Sequence, residues 1–164
     1  MKRSIFNCSV SLHNAGFVER RDITFLMHST GCESIPDQPG VYMVVKNWPG
    51  KSFLGSTGGT NLGKRDEKVT IEYLNQQWVE NTFVLYIGKS SNLRRRIQQY
   101  MNFGSRRGKN HAGGRLIWWI RGYHRLLIFY KTLPPGVSPR DKERELLAKF
   151  EHQYGKLPFA NLQH

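Results

Sequence analysis

Three short apolar runs are the feature of this sequence that most constrains its fold. They cover residues 41–45, 83–87 and 126–130, and each is rich in β-branched and aromatic side chains. Runs of this length and composition predict strands that are buried on at least one face. A chain of 164 residues can bury one sizeable core but seldom two, so we expect the three strands to share one domain.

Helices are predicted between and after these strands. The first covers about residues 93–101, where apolar positions repeat at helical spacing behind candidate N-caps at residues 90–92. A last helix is predicted from the N-cap Ser138 to about Tyr154, and a shorter one over residues 115–120. The order of the elements predicts an α/β (α+β) fold, with a small three-stranded antiparallel sheet flanked by helices.

The remaining sequence predicts an extension and an insertion. Residues 1–38 have modest apolar content and are expected to be an N-terminal extension that covers the domain. The domain itself is expected to span residues 39–164. Within it, residues at about 48–82 contain several glycines and only weak helical spacing, which predicts an insertion between the first two strands.

The charge of the chain favours a polyanionic partner. Lysine and arginine number 25 against 12 acidic residues, which gives a formal net charge of +13. A field of this strength concentrates polyanions around the protein, and nucleic acid is the commonest of them. The alternative is a basic protein that is merely soluble, because net charge does not say where the charge lies.

Two other features narrow the class of protein. No apolar run approaches the roughly 18 residues that a membrane span needs, and polar residues follow the first methionine where a signal peptide would be apolar. Cys8 and Cys32 have too few companions for a zinc site or a disulfide framework, and we expect both to be reduced thiols. A soluble cytoplasmic protein is therefore predicted.

The helix after the second strand carries three consecutive arginines. At about 100° per residue, Arg95 points away from the apolar face, whereas Arg94 and Arg96 fall on its two borders. A guanidinium on such a border can bury its stem and still present its donors to a phosphate. Periodicity leaves both arginines open as candidates, and the alternative is that all three form a solvated surface.

The last helix carries one acidic residue on its buried face. Glu143 lies three residues before Leu146 and four before Leu147, so it points with the core, whereas Glu145 points roughly toward solvent. A carboxylate on an apolar face is costly unless it is paired or holds a metal ion. The simplest partner is an arginine in a buried salt bridge, and a metal ion is the alternative.

These residues fall within motifs that resemble those of the GIY-YIG nucleases. Residues 39–42 and 85–96 are similar to the family's two signature strands and first helix, especially in the first-incision module of bacterial excision-repair nucleases. Residues 143–150 resemble its Glu-x-x-Leu-Ile-x-x-aromatic helix, and residues 158–161 its closing Pro-x-x-Asn. The chain departs from the family between the signature strands, where relatives usually have only a short hairpin. Tyr100 stands where some restriction-type relatives carry a histidine.

The resemblance implies a Mg²⁺-dependent endonuclease, a phosphodiester hydrolase that cuts DNA. It also implies that Mn²⁺ can replace Mg²⁺, and it leaves RNA open as a substrate. In the family's register Glu143 binds the metal and Arg96 contacts the scissile phosphate. Tyr42, or less favourably Tyr86, takes the proton from the attacking water, and Asn161 orients phosphate or metal-bound water.

Further basic residues are expected to contact the nucleic acid. His111 lies in a glycine-rich loop before a predicted helix, where backbone N–H groups can bind phosphate, although a capping or loop-packing role is the alternative. Two other functions stay open: a nucleic-acid-binding module of the same fold without catalysis, and a partner-binding domain in which Glu143 pairs with Arg96. The residues expected at the nucleic-acid interface are Lys89, Arg94, Arg106, Arg107, Lys109, His111 and Arg115.

Overall fold

The computed structural model describes residues 4–55, 69–105 and 114–163. These residues form a mixed α/β fold with four strands in one antiparallel sheet and five α-helices, which confirms the predicted class. The strands are β1 (Val18–Asp22), β2 (Gly40–Val45), β3 (Val84–Ser90) and β4 (Leu127–Thr132). The helices are α1 (Ser9–Asn14), α2 (Ile23–Leu26), α3 (Ile71–Gln77), α4 (Leu93–Gly104) and α5 (Pro139–Tyr154).

The sheet is built around β2. Its order is β1-β4-β2-β3, and every residue of β2 is buried. The register of β2 and β3 sets Tyr42 opposite Gly88 and Val44 opposite Tyr86. The two signature strands are therefore direct neighbours in space, although the insertion separates them in sequence.

The prediction of three strands is wrong, because the N-terminal extension supplies a fourth. β1 pairs with β4 at the edge of the sheet, with Val18 opposite Tyr130. Its sequence, Val-Glu-Arg-Arg-Asp, lacks the alternation of apolar and polar residues that marks a half-buried strand, since most of its side chains are exposed. A register shift between Arg20 and Asp22 ends the regular pairing. The extension is thus part of the sheet and does more than cover it.

Alternate residues of β2 face different helices. Tyr42 and Val44 lie in a core cluster with Leu93 and Ile97 of α4. Residues 41, 43 and 45 lie in a second cluster with the buried face of α5. The sheet therefore separates two apolar layers.

Both principal helices begin at the caps that the sequence predicts. The side chain of Asn92 accepts a hydrogen bond from the backbone N–H of Arg95, and that of Ser138 accepts one from Asp141. Helix α5 ends at Tyr154, and Gly155 follows with a φ of +77°, a conformation that favours glycine. The predicted short helix is a 3₁₀ helix over Arg115–Trp119, and a second one covers Tyr123–Arg125.

Several predicted features lie outside the described residues. These are residues 56–68 of the insertion and the loop over residues 106–113. The described part of the insertion includes α3, whose N-cap Thr70 accepts a hydrogen bond from the backbone of Tyr73. Within the three described ranges, no helix is long and apolar enough to cross a membrane.

Candidate active-site cleft

A cleft of about 370 Å³ opens where β3 ends, between α4 and α5. Three of the five predicted catalytic residues line it, each from a different element: Tyr86 from β3, Arg96 from α4 and Glu143 from α5. They meet here because β3 passes between the two helices that cover opposite faces of the sheet. The remaining lining residues are Lys89, Ser90, Ser91, Arg95 and Gln99.

Tyr42 lies beneath the cleft and does not line it. Its side chain is completely buried, whereas Tyr86 keeps 6% of its surface exposed. The two rings are 5.9 Å apart between centroids and tilted by 60°. The sequence favours Tyr42 over Tyr86 as the base, but only Tyr86 lies where a water molecule in the cleft can reach it.

A glycine in the second signature strand makes room for the buried phenol. A Cβ atom on Gly88 would lie 2.6 Å from Cζ of Tyr42 and 2.8 Å from its hydroxyl oxygen. Both distances are far below van der Waals contact. Tyr42 is fully buried in a close-packed core, so its ring cannot move away without displacing its neighbours. Gly88, the third residue of the Tyr-Ile-Gly motif, must therefore lack a side chain so that Tyr42 can pack against it.

Burial and positive charge act in opposite directions on the two phenols. Burial raises the pKa of Tyr42, and the nearby Arg96 guanidinium lowers it. Burial also raises the pKa of Tyr86 well above its usual value, as does Tyr42, while Arg96 again lowers it. The Glu143 carboxylate adds a smaller upward shift to both pKa values. Arg96 is thus the cation that lowers the pKa of both phenols, and a hydrogen bond with Tyr86 also lowers the pKa of Tyr42.

Glu143 is paired with a lysine. Its Oε1 lies 2.9 Å from the ammonium nitrogen of Lys89, and its side chain is only 12% exposed. Helical spacing places this carboxylate on the inner side of α5, and the structure agrees. The partner is therefore a lysine. The arginine partner expected from the sequence is not found in this pair, and Glu143 is not paired with Arg96. Lys89 is 41% exposed, so this ion pair lies at the mouth of the cleft and leaves the cleft open.

Glu145 provides a contrast on the same helix. It is exposed and accepts hydrogen bonds from Lys142 at 3.2 Å and Lys149 at 2.6 Å. Both bonds lower the pKa of the Glu145 carboxyl group, and the bond from Lys149 has the larger effect. The two glutamates on either side of Arg144 therefore face different surroundings, as the helical period predicts.

The described residues offer one carboxylate for a metal ion in this cleft. In residues 4–55, 69–105 and 114–163 no group of three or more His, Cys, Asp or Glu side chains comes together. A site with a single protein carboxylate suits Mg²⁺, because this ion keeps several water ligands and takes few ligands from the protein. A partly buried carboxylate in an open cleft of about 370 Å³ leaves space for a cation and its waters. The fit requires the exposed Lys89 side chain to move aside.

The side chain of Asn161 is turned toward the backbone of β3. Its Oδ1 accepts a hydrogen bond from the Ile87 N–H at 2.9 Å, and its Nδ2 donates one to the Ile87 carbonyl at 2.8 Å. The backbone N–H of Ala160 donates to the Leu85 carbonyl beside it. This arrangement differs from the expectation that Asn161 orients phosphate or metal-bound water. The amide acts as one more rung on the outer edge of β3.

The three described residues of the predicted nucleic-acid interface do not share one site. Lys89 lines the cleft, whereas the Arg94 Nε donates a hydrogen bond to the Ile35 carbonyl at 2.7 Å. The Arg115 guanidinium lies 5.3 Å from the centre of the Phe103 ring, and Arg115 does not line the cleft. Four others, Arg106, Arg107, Lys109 and His111, lie outside the described residues.

The sequence argument missed four residues that line the cleft: Ser90, Ser91, Arg95 and Gln99. Helix geometry could have indicated Gln99, because it follows Arg96 by three residues and so shares its side of α4. Arg95 was expected to face away from the core, and it does, but the rim of the cleft extends to that outer side.

No family model matches this chain, and neither a curated protein nor a solved structure matches it.

Proposed function

We propose that this protein is a Mg²⁺-dependent endonuclease that cuts DNA with a GIY-YIG type of site. The observation that carries the proposal is the meeting of Tyr86, Arg96 and Glu143 in one open cleft. They come from three elements and are separated by up to 57 positions in sequence. The net charge of +13 supports a polyanionic substrate.

Arg96 is the residue proposed to contact the scissile phosphate. It lies on the border of the apolar face of α4 and lines the cleft. A guanidinium can donate two hydrogen bonds to phosphate oxygens, and it stabilises the negative charge that develops there during hydrolysis. Of the two arginines that periodicity leaves open, Arg94 is held by the Ile35 carbonyl and Arg96 is not. The proposal therefore assigns this role to Arg96.

Tyr86 is the residue proposed to accept the proton of the attacking water. Its pKa is raised by burial, so it needs nearby positive charge to become a phenolate, and Arg96 provides some of it. Tyr42 supports Tyr86 from beneath and has no direct access to the cleft. The sequence argument favoured Tyr42, and the burial of Tyr42 is the reason for preferring Tyr86.

Glu143 is the residue proposed to hold the metal ion. Bound Mg²⁺ would neutralise charge on the phosphate and stabilise the leaving oxygen. The protein itself keeps the Glu143 carboxylate at the inner wall of the cleft, close enough to interact with both phenols. Asn161 contributes indirectly, because it fixes the strand that carries Tyr86.

The decisive experiment is cleavage of plasmid DNA with Mg²⁺, with EDTA, and by two matched variants. We expect EDTA to abolish cleavage and Glu143→Gln to reduce it by about 100-fold or more. Glu145→Gln removes the same charge two residues away on the exposed side of α5 and should retain cleavage. Cleavage that survives both EDTA and Glu143→Gln would contradict the proposal.

The ion pair between Lys89 and Glu143 favours a second candidate, a nucleic-acid-binding module without catalysis. In that protein the pair would be permanent, and the carboxylate would serve only to hold Lys89 in place. Salt-dependent DNA binding with no cleavage in Mg²⁺ or Mn²⁺ would support the binding module over the nuclease.

A further inference from the structure

A second groove lies on the other side of α4 from the cleft. Its volume is about 320 Å³, and its walls come from the N-terminal extension and from α4. Two residues on the outer side of α4, Arg95 and Gln99, line both the groove and the cleft. They form a ridge one helical turn long, so a ligand that crosses this ridge occupies both spaces at once.

The extension is fixed to α4 along this groove. The backbone N–H of Leu93 donates to the Gln38 carbonyl at 2.9 Å, and that of Arg94 donates to the Pro36 carbonyl at 3.2 Å. The Arg94 side chain adds its bond to the Ile35 carbonyl, and the Asn92 amide donates to the Asp37 carboxylate. The groove is therefore a formed feature of the fold, held by bonds from both backbone and side chains.

The chemistry of the groove differs from that of the cleft. Most of its exposed lining is apolar, and buried Cys32 contributes to it. Burial raises the pKa of this thiol to about 11, so Cys32 is a neutral group at physiological pH. The other lining residues supply acceptors and donors, and of the two carboxylates among them that of Asp37 already accepts a hydrogen bond from the Asn92 amide: Glu33, Asp37, Asn92, Arg94, Arg95, Gln98 and Gln99. An apolar space with polar groups at its rim suits a flat heterocycle better than a phosphate.

We propose that this groove binds a nucleobase of the substrate strand whose phosphate lies in the cleft. The inference rests on the proposed nucleic-acid substrate and names a determinant of its base preference. Glu33 lines the groove and is exposed, and its carboxylate can accept a hydrogen bond from an exocyclic amino group. Thymine has no such group, so cytosine is favoured over thymine.

The width of α4 sets the position of this base. A helix with its side chains is about 10 Å across, and a stacked strand rises about 3.4 Å per nucleotide. The base in the groove should therefore lie within about three nucleotides of the phosphate in the cleft. Its neighbours would cross the ridge of Arg95 and Gln99, where a guanidinium is available to the backbone.

The test measures binding without cleavage. Fluorescence anisotropy is recorded in EDTA at pH 8 with labelled eight-nucleotide oligo-dC and oligo-dT. We expect oligo-dC to bind about fivefold more tightly or better, since one good hydrogen-bonded contact to a base gives discrimination of that order. Glu33→Ala should bring the ratio to within about twofold. Glu72→Ala, which removes an exposed carboxylate on α3, should leave the ratio unchanged.

The outcomes separate this inference from the proposed catalysis. Equal binding of both oligonucleotides, or a preference that survives Glu33→Ala, overturns the nucleobase site even if the protein cuts DNA. A preference that depends on Glu33, in a protein that never cuts, supports the site and counts against the nuclease. No binding of either oligonucleotide overturns the nucleobase site, whereas the plasmid assay alone decides whether the protein cuts DNA. If the protein cuts, sequenced product ends should show the same base preference within about three nucleotides of the cut.

Discussion

The ammonium nitrogen of Lys89 lies 2.9 Å from Oε1 of Glu143, although 54 positions separate the two residues in sequence. The pair connects the end of β3 to the inner side of α5 across the mouth of the cleft. In the proposed nuclease, the lysine and the metal ion require the same carboxylate. Metal binding must therefore displace Lys89, which is then free to approach a phosphate.

Replacing Lys89 by methionine is expected to tighten the binding of divalent cations in the absence of DNA. A half-exposed ion pair contributes up to about 1 kcal/mol, so the gain in affinity for Mn²⁺ should be about two- to fivefold. Calorimetric titration measures it. Lys142→Met, which breaks a similar pair with Glu145, should not change the affinity. Unchanged or weaker Mn²⁺ binding by the Lys89 variant would argue against the competition.

Gly88→Ala is expected to destabilise the fold by about 1–3 kcal/mol. The added methyl group would lie 2.6 Å from Cζ of the buried Tyr42, and the ring cannot move without disturbing Tyr86. The melting temperature, measured by calorimetry, should fall by several degrees. Gly55→Ala is the matched control, because a Cβ there meets nothing within 4 Å. Equal melting temperatures for the two variants would mean that the packing against Gly88 is looser than described.

Asn161→Ala is expected to cost about 2–4 kcal/mol of unfolding free energy. The substitution leaves the N–H and the carbonyl of Ile87 without their partners in a buried environment, and each such group carries a penalty of about 1–3 kcal/mol. Urea denaturation provides the measurement. Leu162→Ala, at the exposed neighbouring position, should change stability by less than about 0.5 kcal/mol. A small loss for Asn161→Ala would show that water replaces the amide.

Stability is expected to fall above about pH 10, where tyrosines of the unfolded chain begin to ionise. Burial raises the pKa of Tyr42, Tyr86 and Tyr100 in the folded protein, so the folded state keeps protons that the unfolded state releases. Each such group contributes stability that is fully present below about pH 10 and is lost as the pH rises further.

Tyr42→Phe tests this pH dependence. Among the described residues the buried Tyr42 hydroxyl has no partner of good hydrogen-bond geometry, only weaker interactions with Tyr86 and Arg96, so its removal should cost little stability at pH 7. The variant should lose stability less steeply than the parent between pH 10 and 11, by up to about 1.4 kcal/mol per pH unit. Urea midpoints at pH 9, 10 and 11 measure the slope. An identical slope in both proteins would show that Tyr42 ionises at its usual pKa.

Local patterns in the sequence predict the helices and the inward position of Glu143. The caps Asn92 and Ser138 act as their residue types indicate, and α5 ends at Tyr154 as expected. The period of 3.6 residues is a local property, so it assigns Glu143 and Glu145 to different sides without knowledge of the fold. The two signature strands are also recognisable, because β2 and β3 are almost wholly buried apolar runs.

Contacts between distant segments are what the sequence could not predict. β1 is a charged edge strand, so its pairing depends on the exposed edge of β4 and leaves no apolar pattern. The partner of Glu143 depends on how β3 lies against α5, which no spacing encodes. The same holds for Asn161. A buried amide can bond either to the backbone of an edge strand or to a substrate, and only the fold decides between the two.

The order of the strands also has a consequence for biosynthesis. β4 lies between β1 and β2, so the strand made first pairs with the strand made last. On the ribosome, residues 18–22 must wait for more than a hundred further residues before their partner emerges. Contacts of such long range slow the closing of a sheet, so we expect this sheet to close only after β4 has been synthesised.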